Sequence, residues 1–204
     1  MLNADTLRNV FQIIAAKMAE NRDYLIELDQ RNGDGDLGIS MSEGYGAVAA
    51  ALIASPEEDL GKLCVVASKA FNEAAPSSLG TITSFCLMGM ARVLKGHTQA
   101  NMTMLGQALM AGLEKVMEKA GSKLGEKTIL DAVYPAAEAI LAHAEEGEQA
   151  ALKAAAEAAT KGSDSTSNMP AVHGRAAYYS EKAIGLIDGG AEAGRLIFEA
   201  LAQM

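Results

Sequence analysis

Apolar residues recur at helical spacing along almost the whole chain, and this periodicity limits the possible folds more than any other feature. Near the N-terminus, Leu7, Phe11 and Ile14 share one helical face, with Asp5 as the expected N-cap and the helix ending near Asp29. Further helical patterns cover residues 39–54, 57–73, 79–95, 101–120, 126–145, 148–161, 176–187 and 190–203. The sequence therefore predicts an all-α protein with eight or nine helices.

The composition supports helix over strand. Aromatic residues make up 4% of the 204 residues and Trp is absent, whereas strands depend on aromatic and β-branched side chains. A chain of this length buries one core, so we expect a single domain over residues 1–204. Pro135 falls inside one helical pattern and is expected to kink or interrupt that helix, because it lacks an amide donor.

Charge and targeting signals narrow the classes of partner. The net charge of −9, without a Lys/Arg stripe, argues against nucleic acid. A phosphate ligand on so acidic a chain requires local compensation from metal ions, helix N-termini or an Arg. No apolar run reaches the roughly 20 residues of a membrane span, and the N-terminus lacks a signal-peptide pattern. We therefore expect a cytoplasmic protein that neither enters a membrane nor binds nucleic acid.

The two cysteines lie in apolar segments. Cys64 and Cys86 have neither the paired spacing of a zinc site nor the density of a disulfide scaffold. They are predicted to be buried free thiols.

One segment in the first half of the chain is dense in Asp and Gly. Gly33 and Gly35 let the chain curl tightly, so the carboxylates of Asp29, Asp34 and Asp36 can meet at one point. Clustered carboxylates repel each other unless a cation lies between them, and Mg²⁺ accepts such oxygens together with phosphate. The segment predicts a metal bridge to a phosphate, and the alternative is a solvated Asp-Gly turn.

A calcium-binding EF-hand loop is a further interpretation of this segment. Positions one, three, five, eight and twelve of such a loop would be Asn32, Asp34, Asp36, Ile39 and Glu43. The match fails at position six, where the loop needs Gly for its sharp turn and this chain has Leu37.

Residues 162–174 form a second irregular segment, expected to be either a mobile loop or a lid that a ligand orders.

Four blocks of sequence, at residues 28–38, 77–81, 125–131 and 174–185, together resemble the nucleotide-binding L subunit of dihydroxyacetone kinase. This subunit is homologous to the C-terminal domain of the fused kinases. The resemblance implies a barrel of about eight up-and-down antiparallel helices, with a nucleotide and two Mg²⁺ at one end. It implies a phosphotransferase that works with a substrate-binding kinase subunit and a phosphocarrier subunit of a phosphotransferase system, and it admits a homodimer.

Residue roles follow from the same resemblance. Asp29, Asp34 and Asp36 would bind the two Mg²⁺, and Arg175 would stabilise charge on the transferred phosphoryl group. The predicted nucleotide-binding residues are Ser77, Ser78, Gly80, Thr128, Arg175 and Asp188. Read from the residues alone, Ser77 and Thr128 are equally consistent with ordinary helix caps, and Arg175 with a surface ion pair.

The chain departs from the family pattern at three places, one of which is a serine loop at residues 77–81 that is poorer in Gly than usual. Leu37 replaces the His of a Gly-Asp-Gly-Asp-His-Gly pattern, and residues 188–191 read Asp-Gly-Gly-Ala in place of Asp-Pro-Gly-Ala. The implied function is phosphoryl transfer from Mg-bound ADP or ATP to a small ketose held on the partner subunit, with no catalytic His in this chain. Two alternatives are a non-catalytic nucleotide-binding regulatory module and an ATP-dependent kinase subunit for another small ketose.

Overall fold

The computed structural model describes residues 1–204 and contains nine α-helices. They are α1 Ala4–Glu20, α2 Arg22–Asp29, α3 Leu37–Ala54, α4 Leu60–Ala74, α5 Ser78–Leu94, α6 Met102–Ala120, α7 Leu130–Ala142, α8 Glu148–Ser165 and α9 Gly189–Ala202. Two short strands, β1 Leu2–Asn3 and β2 Gln99–Ala100, pair antiparallel. The predicted all-α class is confirmed.

The helices form a closed ring of eight positions. Helix α1 packs against α3, each later helix packs against the next along the chain, and α9 packs against α1, while α2 continues beyond the end of α1. Neighbours run antiparallel, since Gly44 in the first half of α3 lies against Phe71 near the end of α4. In the same way, Gly106 near the start of α6 lies against Leu141 near the end of α7.

This alternation gathers the starts of α3, α5, α7 and α9 at one end of the ring. The same end holds the last turn of α2 and the connecting segments 30–36, 75–77, 121–129 and 166–188. We call it the carboxylate end, because the segment from Asp29 to Asp36 lies there.

Glycine and alanine allow the helices to approach closely. A Cβ at Gly89 in the middle of α5 would lie 2.6 Å from the Ala111 carbonyl oxygen and 2.6 Å from Gly112 Cα, both in α6. Inside the ring, apolar side chains including Phe11, Tyr45 and Leu109 surround a cavity of about 180 Å³. The ring is therefore tight at its helix crossings and incompletely filled along its centre.

The helix starts differ from several sequence predictions because local side-chain caps determine them. Helix α1 is capped by Asn3, not Asp5, since the Asn3 side chain accepts a hydrogen bond from Thr6 N at 2.9 Å. The first predicted helix is also divided in two at Asn21. Helix α4 starts three residues later than expected, where the Asp59 side chain accepts from Lys62 N.

The largest error concerns residues 176–187, which form no α-helix. Two short 3₁₀ segments lie there, Arg175–Tyr178 and Ser180–Ala183. Positive φ angles at Gly174, Ser180 and Gly185 interrupt the helical pattern. In contrast, the segment predicted to be irregular from residue 162 begins inside α8, which continues to Ser165.

Helix α7 also differs from expectation. It begins at Leu130 rather than at residue 126, and it continues through Pro135 without interruption. Pro135 supplies no amide to the Asp131 carbonyl, and Gly162 of α8 packs directly against that carbonyl. The proline therefore lies where two helices approach closely.

Two apolar features bear on the sequence predictions: the burial of the two cysteines, and a helix with the length and composition of a membrane span. Cys64 is buried and Cys86 is half-buried; both are free thiols, and burial raises the pKa of each to about 12. Helix α3 is long and apolar enough to cross a membrane by length and composition. It packs between α1 and α4, with Tyr45, Val48 and Leu52 in the core, as a core helix of the ring does.

The contact between α5 and α6 generates a stability prediction. Gly89→Ala should lower the free energy of unfolding by about 1–3 kcal/mol, because the new methyl group meets backbone atoms that cannot rotate away. Gly46→Ala in α3 is the matched control, since nothing lies within 4 Å of its Cβ position. It should raise stability by up to about 1 kcal/mol through helix propensity. Denaturant unfolding measures both, and equal effects would contradict the close helix contact.

Candidate functional site

Three carboxylates converge at the carboxylate end. Asp29 ends α2, Asp34 lies in the following turn, and Asp36 immediately precedes α3. Each offers an oxygen, and these oxygens lie within 4.8 Å of one another. The structure thus brings together the three side chains that the sequence singled out, with donor atoms of the type that hard divalent cations prefer.

Two glycines make this turn possible. Gly33 packs against Asp29 so closely that a Cβ would collide with the Asp29 Oδ1 atom. Gly35 has φ +78°, and its backbone N donates a hydrogen bond to Asp29 Oδ2 at 2.8 Å. A residue with a side chain at either position would displace the first carboxylate from the other two.

The electrostatics of the turn favour a cation. Burial, and after it the neighbouring carboxylates of Asp34 and Asp29, raise the pKa of Asp36 above its ordinary value. Arg175 lowers that pKa, and its Nε lies 2.6 Å from Asp34 Oδ2. The guanidinium of Arg175, which is 69% exposed, therefore supplies positive charge to the carboxylates.

The EF-hand interpretation does not hold in this geometry. Helix α3 begins at Leu37, so loop positions six to twelve are helical and do not curl around an ion. Asn32 is buried and Glu43 is exposed, and neither belongs to the group of converging carboxylates.

Leu37 is buried at the first turn of α3, against the start of α9. A Cβ at position 189 would lie 2.6 Å from Leu37 Cδ2, so Gly189 leaves the space that the leucine side chain fills. Two of the departures from the family pattern, at Leu37 and Gly189, are thus in direct contact with each other.

The predicted serine residues lie at the start of α5, at the carboxylate end. Ser77 is the N-cap, and its Oγ accepts from Gly80 N at 3.1 Å; Ser78 is the first helical residue. A side chain at Gly80 would collide with the Ala75 carbonyl oxygen. The structure therefore places Ser77, Ser78 and Gly80 in a tight capping turn at the same end as the carboxylates.

Asp131, the second residue of α7, holds the turn that precedes this helix and contains Thr128. Asp131 is buried and accepts hydrogen bonds from Gly125 N at 2.5 Å and Thr128 N at 2.8 Å. Thr128 Oγ1 accepts from Leu130 N at 3.2 Å. Asp131 thereby holds the turn against the end of the ring.

Asp188 caps α9 beside this turn. Its side chain accepts from Ala191 N at 2.8 Å, and its backbone N donates to Thr166 Oγ1 at 2.9 Å. Burial raises the pKa of Asp188 to about 6, although the capping amide and the nearby Lys127 ammonium lower it. Asp188 thus lies at a helix N-terminus that faces the carboxylate end.

Sequence reasoning missed a hydrogen-bond network around the buried Glu192 that connects α2 to α8 and α9. Glu192 in the first turn of α9 is 3% exposed and accepts from Tyr24 Oη at 3.0 Å and Ser163 Oγ at 2.9 Å. Arg195 pairs with the same carboxylate at 2.8 Å. The network joins α2, α8 and α9, and so fixes the helix that presents Asp29.

Two further contacts in the 123–131 turn were also missed. Glu126 Oε2 lies 2.6 Å from His173 Nε2, which connects the turn to the segment carrying Arg175. Lys127 is almost fully buried and donates hydrogen bonds to backbone carbonyls of two other segments. Both residues belong to a sequence block that supported the family resemblance, but their partners lie 39 or more positions away along the chain.

Comparison with known proteins gives concordant results. A PTS-dependent dihydroxyacetone kinase, ADP-binding subunit DhaL, from Lactococcus lactis is 30% identical over 206 residues, covering 100% of this chain and 99% of that protein. A PEP-dependent dihydroxyacetone kinase 1, ADP-binding subunit DhaL, from Listeria innocua is 29% identical over 187 residues, covering 92% of this chain and 89% of that protein.

The fold is shared with a solved structure, that of the dihydroxyacetone kinase from C. freundii in complex with AMP-PNP and Mg²⁺. The TM-score is 0.79 at 26% identity, over 100% of this chain and 34% of that one. This chain therefore corresponds to about a third of the C. freundii protein. The DAK2 domain profile matches residues 32–203. The resemblance drawn from four sequence blocks is confirmed, and the chain belongs to the DAK2 domain family.

Proposed function

We propose that this chain is the ADP- or ATP-binding subunit of a dihydroxyacetone-type kinase. It holds the nucleotide through two Mg²⁺ and presents a phosphoryl group to a small ketose on a partner subunit. A phosphocarrier subunit of a phosphotransferase system supplies the phosphoryl group. The observation that carries the proposal is the convergence of three carboxylates and Arg175 at one end of a DAK2 helical ring.

The donor set fits Mg²⁺. Three carboxylate oxygens within 4.8 Å of one another offer ligands from one side, and they leave the other side for phosphate oxygens and water. When bound, Mg²⁺ neutralises phosphate charge and holds the phosphates in place. Asp29, Asp34 and Asp36 are the residues that hold it.

Arg175 has two roles in this proposal. Without a cation it pairs with Asp34; a cation at Asp34 would release the guanidinium toward phosphate, to which it donates paired hydrogen bonds. It would then stabilise the charge on the transferred group. Neither role requires this chain to supply a base.

Helix N-termini provide the remaining compensation for phosphate charge. Helices α3, α5, α7 and α9 all begin at the carboxylate end, so their unpaired amides and dipoles favour an anion there. Ser78 supplies such an amide from the first turn of α5. The amides of Ser77, Gly80, Thr128 and Asp188 already donate within the protein, so these residues contribute by shaping the helix starts around the phosphate. An acidic chain with net charge −9 binds a polyphosphate by this local positive potential.

The segment carrying Arg175 also exposes apolar side chains. Tyr178 is 91% exposed, and Val172, Tyr179 and Ile184 are about half exposed. Exposed apolar side chains grouped beside a polar site are typical of a protein interface. In the proposed complex, the substrate-binding subunit contacts this segment when it presents the ketose.

A regulatory module that binds nucleotide without transferring phosphate is the second candidate. The observation that favours it is the apolar contact between Leu37 and Gly189, because the family pattern has a polar His side chain at position 37. Phosphate transfer to dihydroxyacetone or erythrulose, measured with the partner subunit present, distinguishes the two. Transfer supports the kinase subunit, and bound nucleotide without transfer supports the regulatory module.

The metal role predicts a specific loss in Asp34→Asn. Mg²⁺-dependent binding of ADP should fall at least about tenfold, because a charged ligand becomes neutral. The far-ultraviolet circular dichroism should stay unchanged, since the turn lies outside the core. Asp23→Asn on α2 is the control, because this side chain is 88% exposed and lies outside the carboxylate group. Calorimetric titration measures the affinity, and unchanged affinity in Asp34→Asn would refute the metal assignment.

Slow nucleotide release is the second expectation. The protein purified in Mg²⁺ buffer should carry ADP through gel filtration, and a chelator should remove it, because the diphosphate would then face three unscreened carboxylates. Absorbance and chromatography of the released nucleotide measure how much ADP the protein retains. A nucleotide-free protein that exchanges added ATP within seconds would instead indicate an ATP-dependent kinase or a loosely binding module.

The contact between Leu37 and Gly189 predicts coupled substitutions. Gly189→Pro alone should destabilise the protein, because the ring atoms meet Leu37 Cδ2. Leu37→His alone should tighten ADP retention by restoring a polar group. The loss of stability in the double variant should be smaller than the sum of the two single losses, because substitutions at contacting residues are not additive. Thermal melting with and without Mg-ADP measures both effects, and strict additivity would contradict the contact.

A further inference from the structure

Lys127 is buried in a way that is unusual for a lysine. Its relative exposure is 3%, and its backbone has φ +60°, in the left-handed region. A buried ammonium requires hydrogen-bond partners, and its Nζ donates to the carbonyl oxygens of Thr166 and Leu186, each at 2.5 Å. The side chain thus spans from the turn before α7 to two other segments.

Those two carbonyls flank the base of one long segment, residues 167–185, which we call the arginine loop. The loop closes on itself at its base, where Gly185 N donates to Ser167 O at 2.7 Å. Lys127 binds one residue outside this pair on each side. The Lys127 ammonium therefore joins the two chain segments that enter and leave the arginine loop.

The surroundings of the ammonium reinforce this contact. Burial lowers the pKa of Lys127 below its ordinary value, and the nearby carboxylates of Asp188 and Asp131 oppose this shift. Thr166 accepts two hydrogen bonds: its carbonyl oxygen accepts from Lys127 Nζ, and its Oγ1 accepts from Asp188 N. The base of the loop is held by charge-assisted hydrogen bonds, and beyond it the loop has only short 3₁₀ turns.

We propose that Lys127 is a positioning residue that clamps the base of the arginine loop and thereby holds Arg175 at the carboxylates. The part of this inference that concerns nucleotide rests on the proposed function. A second contact from the same turn, Glu126 to His173, restrains the loop two residues before Arg175. Free movement of the base would carry Arg175 away from Asp34, because no α-helix or strand fixes the loop independently.

Limited proteolysis tests the clamp without reference to any ligand. Trypsin cleaves after Arg175 and Lys182, both of which lie in the arginine loop. In Lys127→Met, which removes the ammonium and keeps the stem, cleavage at these sites should accelerate about tenfold, because the open state becomes more populated. Lys17→Met is the matched control, since it breaks the ion pair of Lys17 with Glu199 away from the loop. Equal cleavage rates in wild type and Lys127→Met would overturn the proposal.

A double-mutant cycle tests whether the clamp acts through Arg175. Mg-ADP affinity is measured by calorimetry in wild type, Lys127→Met, Arg175→Gln and the double variant. Lys127→Met should weaken binding about tenfold in the wild-type background and by less than about twofold when Arg175 is already absent. The same loss in both backgrounds would mean that Lys127 acts on general structure, and would overturn the positioning role.

The two experiments separate failure of the clamp from failure of the proposed function. A wild-type protein that does not bind Mg-ADP refutes the nucleotide role, and the proteolysis result still decides whether Lys127 holds the loop. If Lys127→Met does not fold, Gly185→Ala replaces it, because its φ of +94° strains any side chain and nothing lies within 4 Å of its Cβ position. Faster cleavage in Gly185→Ala would support a closed base of the arginine loop, and unchanged cleavage would overturn the closed base.

Discussion

The close approach of helix backbones at glycine and alanine positions is the constraint on which the rest of this structure depends. Large side chains at the α5 to α6 crossing, or where Gly162 meets the Asp131 carbonyl, would separate the helices and open the ring. A closed ring with alternating helix directions necessarily brings every second helix N-terminus to the same end. The carboxylates, the serine turn and the cap of α9 share one end for this reason.

Charge at that end is balanced by components from distant parts of the chain. Asp29, Asp34 and Asp36 come from one short turn, whereas Arg175 comes from a loop about 140 residues later. The helix N-termini add partial positive charge without any basic side chain. An acidic protein can in this way present a local anion site while its overall charge remains −9.

Sequence patterns predicted the features that depend on short-range spacing. Eight of the nine predicted helical segments correspond to α-helices, with α1 and α2 predicted as one, and the Asp-Gly turn identified the three converging carboxylates. Both predictions follow from residues close together in the chain. The helix predicted over residues 176–187 was wrong, because the apolar spacing fits a helix but positive φ angles at Ser180 and Gly185 divide the segment.

The remaining site features depend on contacts between segments that are remote in sequence. The buried Glu192, with partners on α2 and α8, and the buried Lys127, with carbonyl partners at Thr166 and Leu186, resemble ordinary charged residues in the sequence. No local pattern marks a charged residue as buried, because its partners are defined only by the assembled ring.

The apolar cavity at the centre of the ring has a mechanical consequence. A void of about 180 Å³ is part of the folded volume and is eliminated when the chain unfolds. The folded state is consequently larger in volume than a fully packed ring of the same helices, so hydrostatic pressure shifts the equilibrium toward unfolding. Phe11, Tyr45 and Leu109 around the void belong to three different helices, α1, α3 and α6, so pressure acts on the packing at the centre of the ring, whereas Asp29, Asp34 and Asp36 do not line the void.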